Sequence, residues 1–249
     1  MDHLSATQIN MFLRCERQWY YRYVQGIRIP PPGAVILGGA YHDGVEHAYR
    51  VRMEEGELPS AEDCQDVFRA AFDQHIEEEE EIDWGDDHPG VLIDRGVELV
   101  KLYVDNVAPQ VDPVAVEAGF SLPYEIPVIG FIDLVADEGG SKSIIEHKTS
   151  RRRGGLDRYG LQMGIYRIAL EKDWGLSVGE ARVHQALTTA KPDINVESVP
   201  IEAESMIDLV VGTMIQKINL GIFAPTGVGT WACSEKWCGY YKLCHERRK

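Results

Sequence analysis

The stretch GFIDLVADEGGSKSIIEHKT, residues 130–149, decides the fold because it has the pattern of two strands joined by a tight turn. Gly139-Gly140 stands between two runs rich in apolar and β-branched residues, which is a hairpin signal. Side chains alternate between the two faces of a strand, so Glu146 and Lys148 project to one side and His147 to the other. With Asp133 on the partner strand, the hairpin predicts that two carboxylates and an ammonium group meet.

Such a trio has a definite chemistry. Oxygen ligands from Asp133 and Glu146 suit Mg²⁺ or Mn²⁺ better than zinc. An ion held there would activate a water and neutralise charge on a scissile phosphate. Lys148, protonated beside two acids, would orient the water or stabilise the transition state. These three residues alone leave open an ordinary surface hairpin with solvated charges, because short motifs recur by chance.

Further motifs follow in a fixed order around the hairpin. Gly38-x-x-x-His42-x-x-x-Glu46 precedes it, and Gln162-x-x-x-Tyr166 follows it. One early cysteine and three late ones enclose the whole arrangement. In this order the motifs resemble the PD-(D/E)XK nuclease superfamily, and specifically its RecB-like branch, which includes AddB-type nucleases and iron–sulfur exonucleases of the CRISPR-adaptation type. The resemblance extends from about Leu4 to Cys244.

The resemblance implies a role for each motif. The metal ligands would be His42, Asp133, Glu146 and the backbone carbonyl of His147. Lys148 would assist catalysis, while Gln162 and Tyr166 would support the catalytic lysine and contact the DNA strand. Taken without the resemblance, His42 is an ordinary helix histidine, and Gln162 and Tyr166 merely flank the packed face of their helix. Glu117, on the preceding strand, is a candidate supporting acid.

The cysteines form a second group. Four thiolates can hold a [4Fe-4S] cluster or a tetrahedral Zn²⁺, and chemistry alone leaves both open. The resemblance implies an iron–sulfur cluster that joins the N-terminal helix to the C-terminal segment, with the ligands Cys15, Cys233, Cys238 and Cys244. The late spacing here is Cys-x4-Cys-x5-Cys, whereas Cys-x2-Cys-x5-Cys is commonest in the branch. Cys64 is expected to be an apolar helix residue.

A basic loop follows the second strand of the hairpin. Arg151, Arg152 and Arg153 precede Gly154-Gly155, which predicts a flexible segment. A basic loop beside a phosphodiesterase centre suits contacts with DNA phosphates better than base reading. A loop that only improves solubility remains the alternative.

Composition limits the class of protein. The chain has 249 residues and is 44% hydrophobic, enough for one large globular domain. Its net charge of −15 argues against binding nucleic acid. The charge is uneven, however, since acid is concentrated at 77–87 and base at 14–28, 151–153 and 242–249, which leaves room for a positive groove.

Cysteine number and hydropathy indicate the compartment. Five cysteines, an odd number without the spacing of a disulfide framework, favour a reducing environment with metal or cluster ligation. No apolar run is long enough to span a membrane, and the first residues lack the pattern of a signal peptide. A cytoplasmic protein without membrane association is therefore expected.

Hydrophobic periodicity predicts an α/β or α+β fold with a mixed central sheet flanked by helices. The predicted helices are 5–24, 35–54, 61–82, 91–107, 156–171 and 203–220. The predicted strands are 115–120, 124–136, 143–149, 181–188 and 195–199. The resemblance implies a restriction-endonuclease-like core within a single domain over 1–249, in which the parts are 1–34 (N-terminal helix with the first cysteine), 35–110 (helical part with the His motif), 111–200 (catalytic sheet) and 201–249 (C-terminal helix and late cysteines).

The expected function is that of a metal-dependent DNA nuclease, an exonuclease acting on single strands or DNA ends in recombination, repair or phage DNA metabolism. No Gly-x-x-x-x-Gly-Lys-Ser/Thr sequence occurs, so the chain has no P-loop motor of its own. One alternative is a nuclease or scaffold subunit that works with a helicase, recombinase or integrase. The other is a DNA-binding module with weak activity.

Overall fold

A computed structural model describes residues 1–246 and contains a five-stranded sheet with the order β1-β2-β3-β4-β5. The strands are β1 (Asp112–Leu122), β2 (Val128–Glu138), β3 (Ser141–Ser150), β4 (Val178–Leu187) and β5 (Asp193–Ser198). β2 pairs antiparallel with β3, β3 pairs parallel with β4, and β4 pairs antiparallel with β5. The predicted α+β fold with a mixed sheet is confirmed, as is the Gly139-Gly140 turn between β2 and β3. The basic residues Arg247, Arg248 and Lys249 lie outside the described residues.

The helices occupy the predicted regions with shifted ends. They are α1 (Ala6–Arg14), α2 (Glu16–Trp19), α3 (Gly33–Glu55), α4 (Ala61–Glu77), α5 (Pro89–Asn106), α6 (Gly160–Asp173), α7 (Glu204–Leu220) and α8 (Tyr241–Glu246). A π-helical turn covers Tyr20–Val24, and 3₁₀ turns cover Ala108–Gln110 and Asp157–Tyr159. Helix α8 was not predicted. Within residues 1–246, no helix is both long and apolar enough to cross a membrane.

The predicted continuous helix over 5–24 is wrong, because the chain is extended at Cys15 (φ −166°, ψ 111°). The next backbone amide, that of Glu16, donates to Thr226 Oγ1 at 3.2 Å. The buried Glu16 carboxylate accepts hydrogen bonds from Lys217 Nζ and from the Ala224 amide. These partners lie far along the chain, so periodicity near residue 15 carries no sign of the break.

Helix α4 ends at Glu77, earlier than the predicted end at residue 82. Four consecutive glutamates follow, residues 78–81. Negative charge at a helix C-terminus opposes the helix dipole, and like charges one turn apart repel. The acidic run therefore terminates the helix.

The chain forms two compact units. The first unit comprises Met1–Ile29, Ser121–Gly130 and the described residues from Ala203 onward, and the second comprises Pro30–Phe120 and Phe131–Glu202. The expectation of a single domain stays a prediction.

The core of the second unit holds α3 against the sheet. Buried side chains of α3, α4 and α5 pack with Leu134 of β2, Ile145 of β3 and Ala186 of β4. This layer fixes the position of α3, which carries His42, relative to the strand that carries Glu146. In the first unit, Tyr21, Cys238 and Tyr240 form a separate small cluster.

Close packing inside the second unit yields a matched pair of glycine substitutions. Gly96 of α5 abuts the buried ring of Phe68, and a Cβ at position 96 would overlap that ring. Gly96→Ala is expected to lower the free energy of unfolding by about 1–3 kcal/mol through overpacking. Urea denaturation followed by circular dichroism measures the change.

Gly212→Ala in α7 is the control, since a Cβ there meets nothing within 4 Å. It is expected to raise stability by up to about 1 kcal/mol, because alanine favours the helix more than glycine. Equal effects of the two substitutions would contradict the packing at Gly96.

Candidate active site

The point where β2 separates from β3 brings the predicted acids together. The described ladder between these strands runs from Glu138↔Ser141 to Leu134↔Ile145. One residue beyond it, Asp133 Oδ2 accepts a hydrogen bond from the backbone amide of His147 at 2.8 Å. The Asp133 carboxylate therefore accepts the hydrogen bond that a backbone carbonyl of β2 would accept in a regular ladder. This contact holds Asp133 against β3, next to Glu146.

Helix α3 brings His42 to the same place. His42 Nδ1 lies 3.6 Å from Asp133 Oδ2, and His42 Nε2 lies 2.7 Å from the backbone carbonyl oxygen of His147. Neighbouring ligands of an octahedral ion lie about 3.0 Å apart when each is about 2.1 Å from the metal. In the structure the 2.7 Å contact is a hydrogen bond in which His42 Nε2 donates to the carbonyl, so an ion that used both groups would have to replace this bond.

Glu146 lies deepest among these groups, with 1% of the residue exposed. Its Oε1 forms an ion pair with Lys148 Nζ and accepts a hydrogen bond from Gln162 Nε2 at 2.7 Å. Its Oε2 is buried and has no hydrogen-bond partner among the residues that the structure describes. A buried carboxylate oxygen without a partner is uncommon and requires an explanation. A cation bound at Oε2 would provide one.

Burial and neighbouring charges both shift the pKa values of the two partners, Glu146 and Lys148. Burial raises the pKa of Glu146 and Asp133 raises it further, while Lys148 lowers it. Burial lowers the pKa of Lys148, but the nearby Glu146 and Asp133 outweigh it and bring the pKa above its ordinary value. Lys148 therefore keeps its proton at neutral pH.

Glu117 is a further acidic residue that interacts electrostatically with Asp133 and Glu146. It has a φ of 48°, the one positive φ at a non-glycine position in residues 1–246. Burial raises the pKa of Glu117 to about 7, and Asp133, Glu46 and Glu146 contribute to the rise. The left-handed backbone is costly for a residue with a side chain, and such conformations cluster at functional sites.

Helix α6 supports the acids from another direction. Gln162 Nε2 donates to Glu146 Oε1 and also lies 2.7 Å from the Tyr166 hydroxyl. The Tyr166 ring packs edge-on against Phe120, and only 5% of the residue is exposed. Tyr159, in the turn before α6, lies with its ring 5.7 Å from Lys148 Nζ. This geometry suits Gln162 and Tyr166 for bracing the carboxylate, and it leaves little of Tyr166 to reach a DNA strand.

A buried polar network behind β3 was missed by sequence reasoning. The Tyr103 hydroxyl lies 2.9 Å from Tyr49 Oη, 2.9 Å from His147 Nε2 and 2.7 Å from His184 Nδ1. Burial lowers the pKa of both histidines, that of His184 to about 3, so both rings stay neutral. The His147 side chain points away from Lys148, and its ring is held in place by Tyr103. Periodicity placed Tyr49, Tyr103 and His184 only within predicted helices and a predicted strand, and no short motif indicates the network.

The three arginines of the basic loop are exposed, and two of them are paired. Arg151 forms an ion pair with Asp87, and Arg153 forms one with Asp193 and also contacts Asn195. These acidic partners neutralise part of the positive charge of the loop. A role for Arg151, Arg152 and Arg153 in DNA binding stays a prediction.

The four cysteines of the second group converge in the first unit. Cys15, Cys233, Cys238 and Cys244 line one cavity, and none forms a disulfide. A Cβ added at Gly227 would lie 3.6 Å from Cys15 Cβ and 3.7 Å from Cys233 Cβ. Gln18 Nε2 lies 3.0 Å from Cys238 Sγ. Cys64, by contrast, is buried in α4 of the second unit, where burial raises the pKa of its thiol to about 11.

Neither the acidic centre nor the cysteine group forms a complete metal site in the structure. Within residues 1–246, no three His, Cys, Asp or Glu side chains stand close enough to hold a metal ion as they are. The donor types at the acidic centre still suit a hard divalent ion, since they are two carboxylates, a backbone carbonyl and an imidazole, and one carboxylate oxygen, Glu146 Oε2, has no partner among the described residues.

The family model of the PD-(D/E)XK nuclease superfamily matches residues 3–245. The crystal structure of a protein called "putative exonuclease" from Eubacterium rectale matches with a TM-score of 0.57 and 12% identity, over 95% of this chain and 87% of that one. The crystal structure of SSO0001 matches with a TM-score of 0.38 and 15% identity, over 95% of both chains. No curated protein matches the sequence.

The network around Tyr103 leads to a test with a matched control. Tyr103→Phe removes a hydroxyl with three buried partners and is expected to lower the free energy of unfolding by about 1–3 kcal/mol. Tyr41→Phe in the same core removes a buried hydroxyl that has no partner among the described residues, so stability is expected to stay equal or rise. Thermal and urea unfolding of both variants distinguish them, and equal losses would contradict the network.

Proposed function

The chain belongs to the PD-(D/E)XK nuclease superfamily, and from that premise we propose that it is a metal-dependent deoxyribonuclease of the RecB-like branch. We propose further that it is an exonuclease on single-stranded DNA or DNA ends. The observation that carries the catalytic part is the buried Oε2 of Glu146, which has no partner among the described residues although Oε1 of the same carboxylate is paired with Lys148.

We infer that Mg²⁺ or Mn²⁺ is held by Asp133, Glu146, His42 and the backbone carbonyl of His147. When bound, the ion supplies an activated water and neutralises charge on the phosphate. Asp133 and His42 both contact His147, so the two side chains and this carbonyl are positioned as one group.

Lys148 is the proposed hydrogen-bond donor to the reacting groups. Its ammonium is fixed by Glu146 and stays charged, so it can donate a hydrogen bond to the attacking water or to a phosphate oxygen as negative charge develops. Gln162 restrains the Glu146 carboxylate from the other side, and Tyr166 restrains Gln162. These two are positioning residues in the proposed mechanism.

The preference for ends is inferred from the resemblance to the branch and from the name of the Eubacterium rectale protein.

One observation favours a second candidate, a nuclease subunit within a larger DNA-processing complex. The net charge is −15, and Arg151 and Arg153 are paired with acids, so the chain offers little basic surface to capture DNA alone. A helicase, recombinase or integrase would supply the missing affinity. Recombination, repair and phage DNA metabolism are the processes that would use such an enzyme.

The role of Lys148 is tested by substitution. Lys148→Ala is expected to reduce metal-dependent cleavage at least about 100-fold, because a fixed charge next to the phosphate is lost. End-labelled single-stranded and duplex DNA are incubated with Mg²⁺ or Mn²⁺, and a chelator is expected to abolish wild-type cleavage.

Lys142→Ala is the control, since Lys142 lies on the same strand and forms an ion pair with Asp137 at the far end of the hairpin. It is expected to cleave as the wild type does. Full turnover by Lys148→Ala would refute the assignment of Lys148, and cleavage in the presence of chelator would refute the metal.

We propose that the converging cysteines hold a [4Fe-4S] cluster, with a structural Zn²⁺ as the alternative. Cys15 lies at the break between α1 and α2, Cys233 and Cys238 lie in the segment before α8, and Cys244 lies within α8. Ligation of all four would tie these distant parts of the first unit together and restrict the unfolded chain. The proposed task is structural.

Anaerobic purification tests this ligation. The wild type is expected to be brown with broad visible absorption and to contain iron, whereas Cys238→Ser is expected to be colourless or insoluble. Cys64→Ala, at a buried cysteine outside the group, is expected to keep the colour. Stoichiometric zinc without iron would favour the alternative, and a brown, stable Cys238→Ser variant would exclude Cys238 as a ligand.

A further inference from the structure

An exposed phenylalanine stands next to the acidic centre. Phe131 lies on β2 two residues before Asp133, and 62% of it is exposed. It is the most exposed large hydrophobic side chain described between residues 30 and 202. The next residue, Ile132, is buried, as are Leu134 and Val135. Exposure of a large aromatic ring costs hydrophobic stabilisation, so its position beside the centre requires a reason.

The ring is held in place from one side. A Cβ added at Gly119 of β1 would lie 3.3 Å from Cε1 and 3.6 Å from Cδ1 of Phe131. The ring therefore packs over the bare backbone at Gly119 and keeps much of its surface in solvent. A ring supported in this way loses little further freedom when a flat ligand stacks on it.

The ring is also close to the proposed reaction. Side chains two residues apart leave a strand on the same side, and their Cα atoms are about 6.7 Å apart. A nucleotide whose phosphate lies at Asp133 thus has an aromatic surface within reach of its own base or a neighbouring one. Asp133 and Glu117 make the surroundings acidic, which disfavours an anion at the ring and suits an uncharged aromatic group.

On this basis we propose that Phe131, supported by Gly119, is a stacking site for a nucleobase of an unpaired strand next to the cleaved phosphate. The inference rests on the proposed nuclease function and deepens it, since it names the part of the substrate that this residue recognises. Base–aromatic stacking tolerates any sequence, because every base has a π face. A base inside a duplex is already stacked on both sides, so the site selects single strands or frayed ends.

The competing explanation is that Phe131 only shields the backbone at Gly119, as aromatic residues do beside glycines in sheets. Phe131→Leu distinguishes the covering role from the stacking role, because leucine still covers Gly119 but has no π face. Phe131→Trp keeps the π face. A structural role would change the melting temperature, whereas a stacking role would change affinity for single strands.

The experiment measures binding and cleavage in separate arms. Fluorescent single-stranded and duplex oligonucleotides are titrated with Lys148→Ala protein that carries Phe131 or its replacements, and cleavage is followed with Lys148 intact. Phe131→Leu and Phe131→Ala are expected to weaken single-strand binding, and to raise the KM for single strands, by about 5- to 150-fold. Phe131→Trp is expected to bind at least as tightly as the wild type, and duplex binding is expected to stay within about twofold.

Trp174→Leu is the matched control. Trp174 is 43% exposed and follows α6, about 18 Å along the helix from Gln162 at 1.5 Å per residue. It is expected to leave single-strand binding unchanged.

Failure of this inference differs from failure of the proposed function. Metal-dependent cleavage with unchanged single-strand affinity in Phe131→Leu and Phe131→Ala would overturn the stacking site and leave the nuclease standing. Absence of both cleavage and DNA binding in the wild type would overturn both. Single-strand binding that depends on Phe131, without cleavage, would support the stacking site and contradict the nuclease.

Discussion

An ion pair on one strand, between a buried carboxylate and a partly exposed lysine, governs the arrangement of the second unit. Glu146 and Lys148 leave β3 on the same side, and Glu146 is almost completely removed from solvent. A buried carboxylate is costly unless its oxygens are bound by donors or cations. Lys148 and Gln162 satisfy Oε1, whereas Oε2 has no partner in the described part of the chain. A cation bound at Oε2, as proposed, would offset this cost.

The surrounding elements hold this pair and its strand through hydrogen bonds. Gln162 reaches Glu146 from α6, His42 reaches the backbone of β3 from α3, and Tyr103 fixes the His147 ring from α5. The uncharged amide of Gln162 and hydroxyl of Tyr103 restrain geometry without cancelling the charge of the carboxylate. The positive φ of Glu117 and the raised pKa of its carboxyl are further signs that electrostatic cost is concentrated at this one place.

The acidic character of the chain changes how DNA recognition is to be understood. With a net charge of −15 and paired arginines in the basic loop, long-range attraction to the phosphate backbone is weak. Under the proposed function, short-range contacts would gain importance in that setting, namely those of the proposed cation, the ammonium of Lys148 and the exposed ring of Phe131. An enzyme of this kind would discriminate by local geometry more than by charge, and a partner protein would be one way to deliver its substrate.

The sequence by itself determined the mixed sheet, the Gly139-Gly140 turn and the convergence of Asp133, Glu146 and Lys148, because alternation along strands and turn chemistry are local properties. The order of its motifs was enough to indicate the superfamily. Only the tertiary structure decided the break at Cys15, the network around Tyr103 and the cover of Gly119 by Phe131. Each of these depends on partners far apart in the chain, such as Glu16 with Thr226 or Tyr103 with His184, and local periodicity carries no information about them.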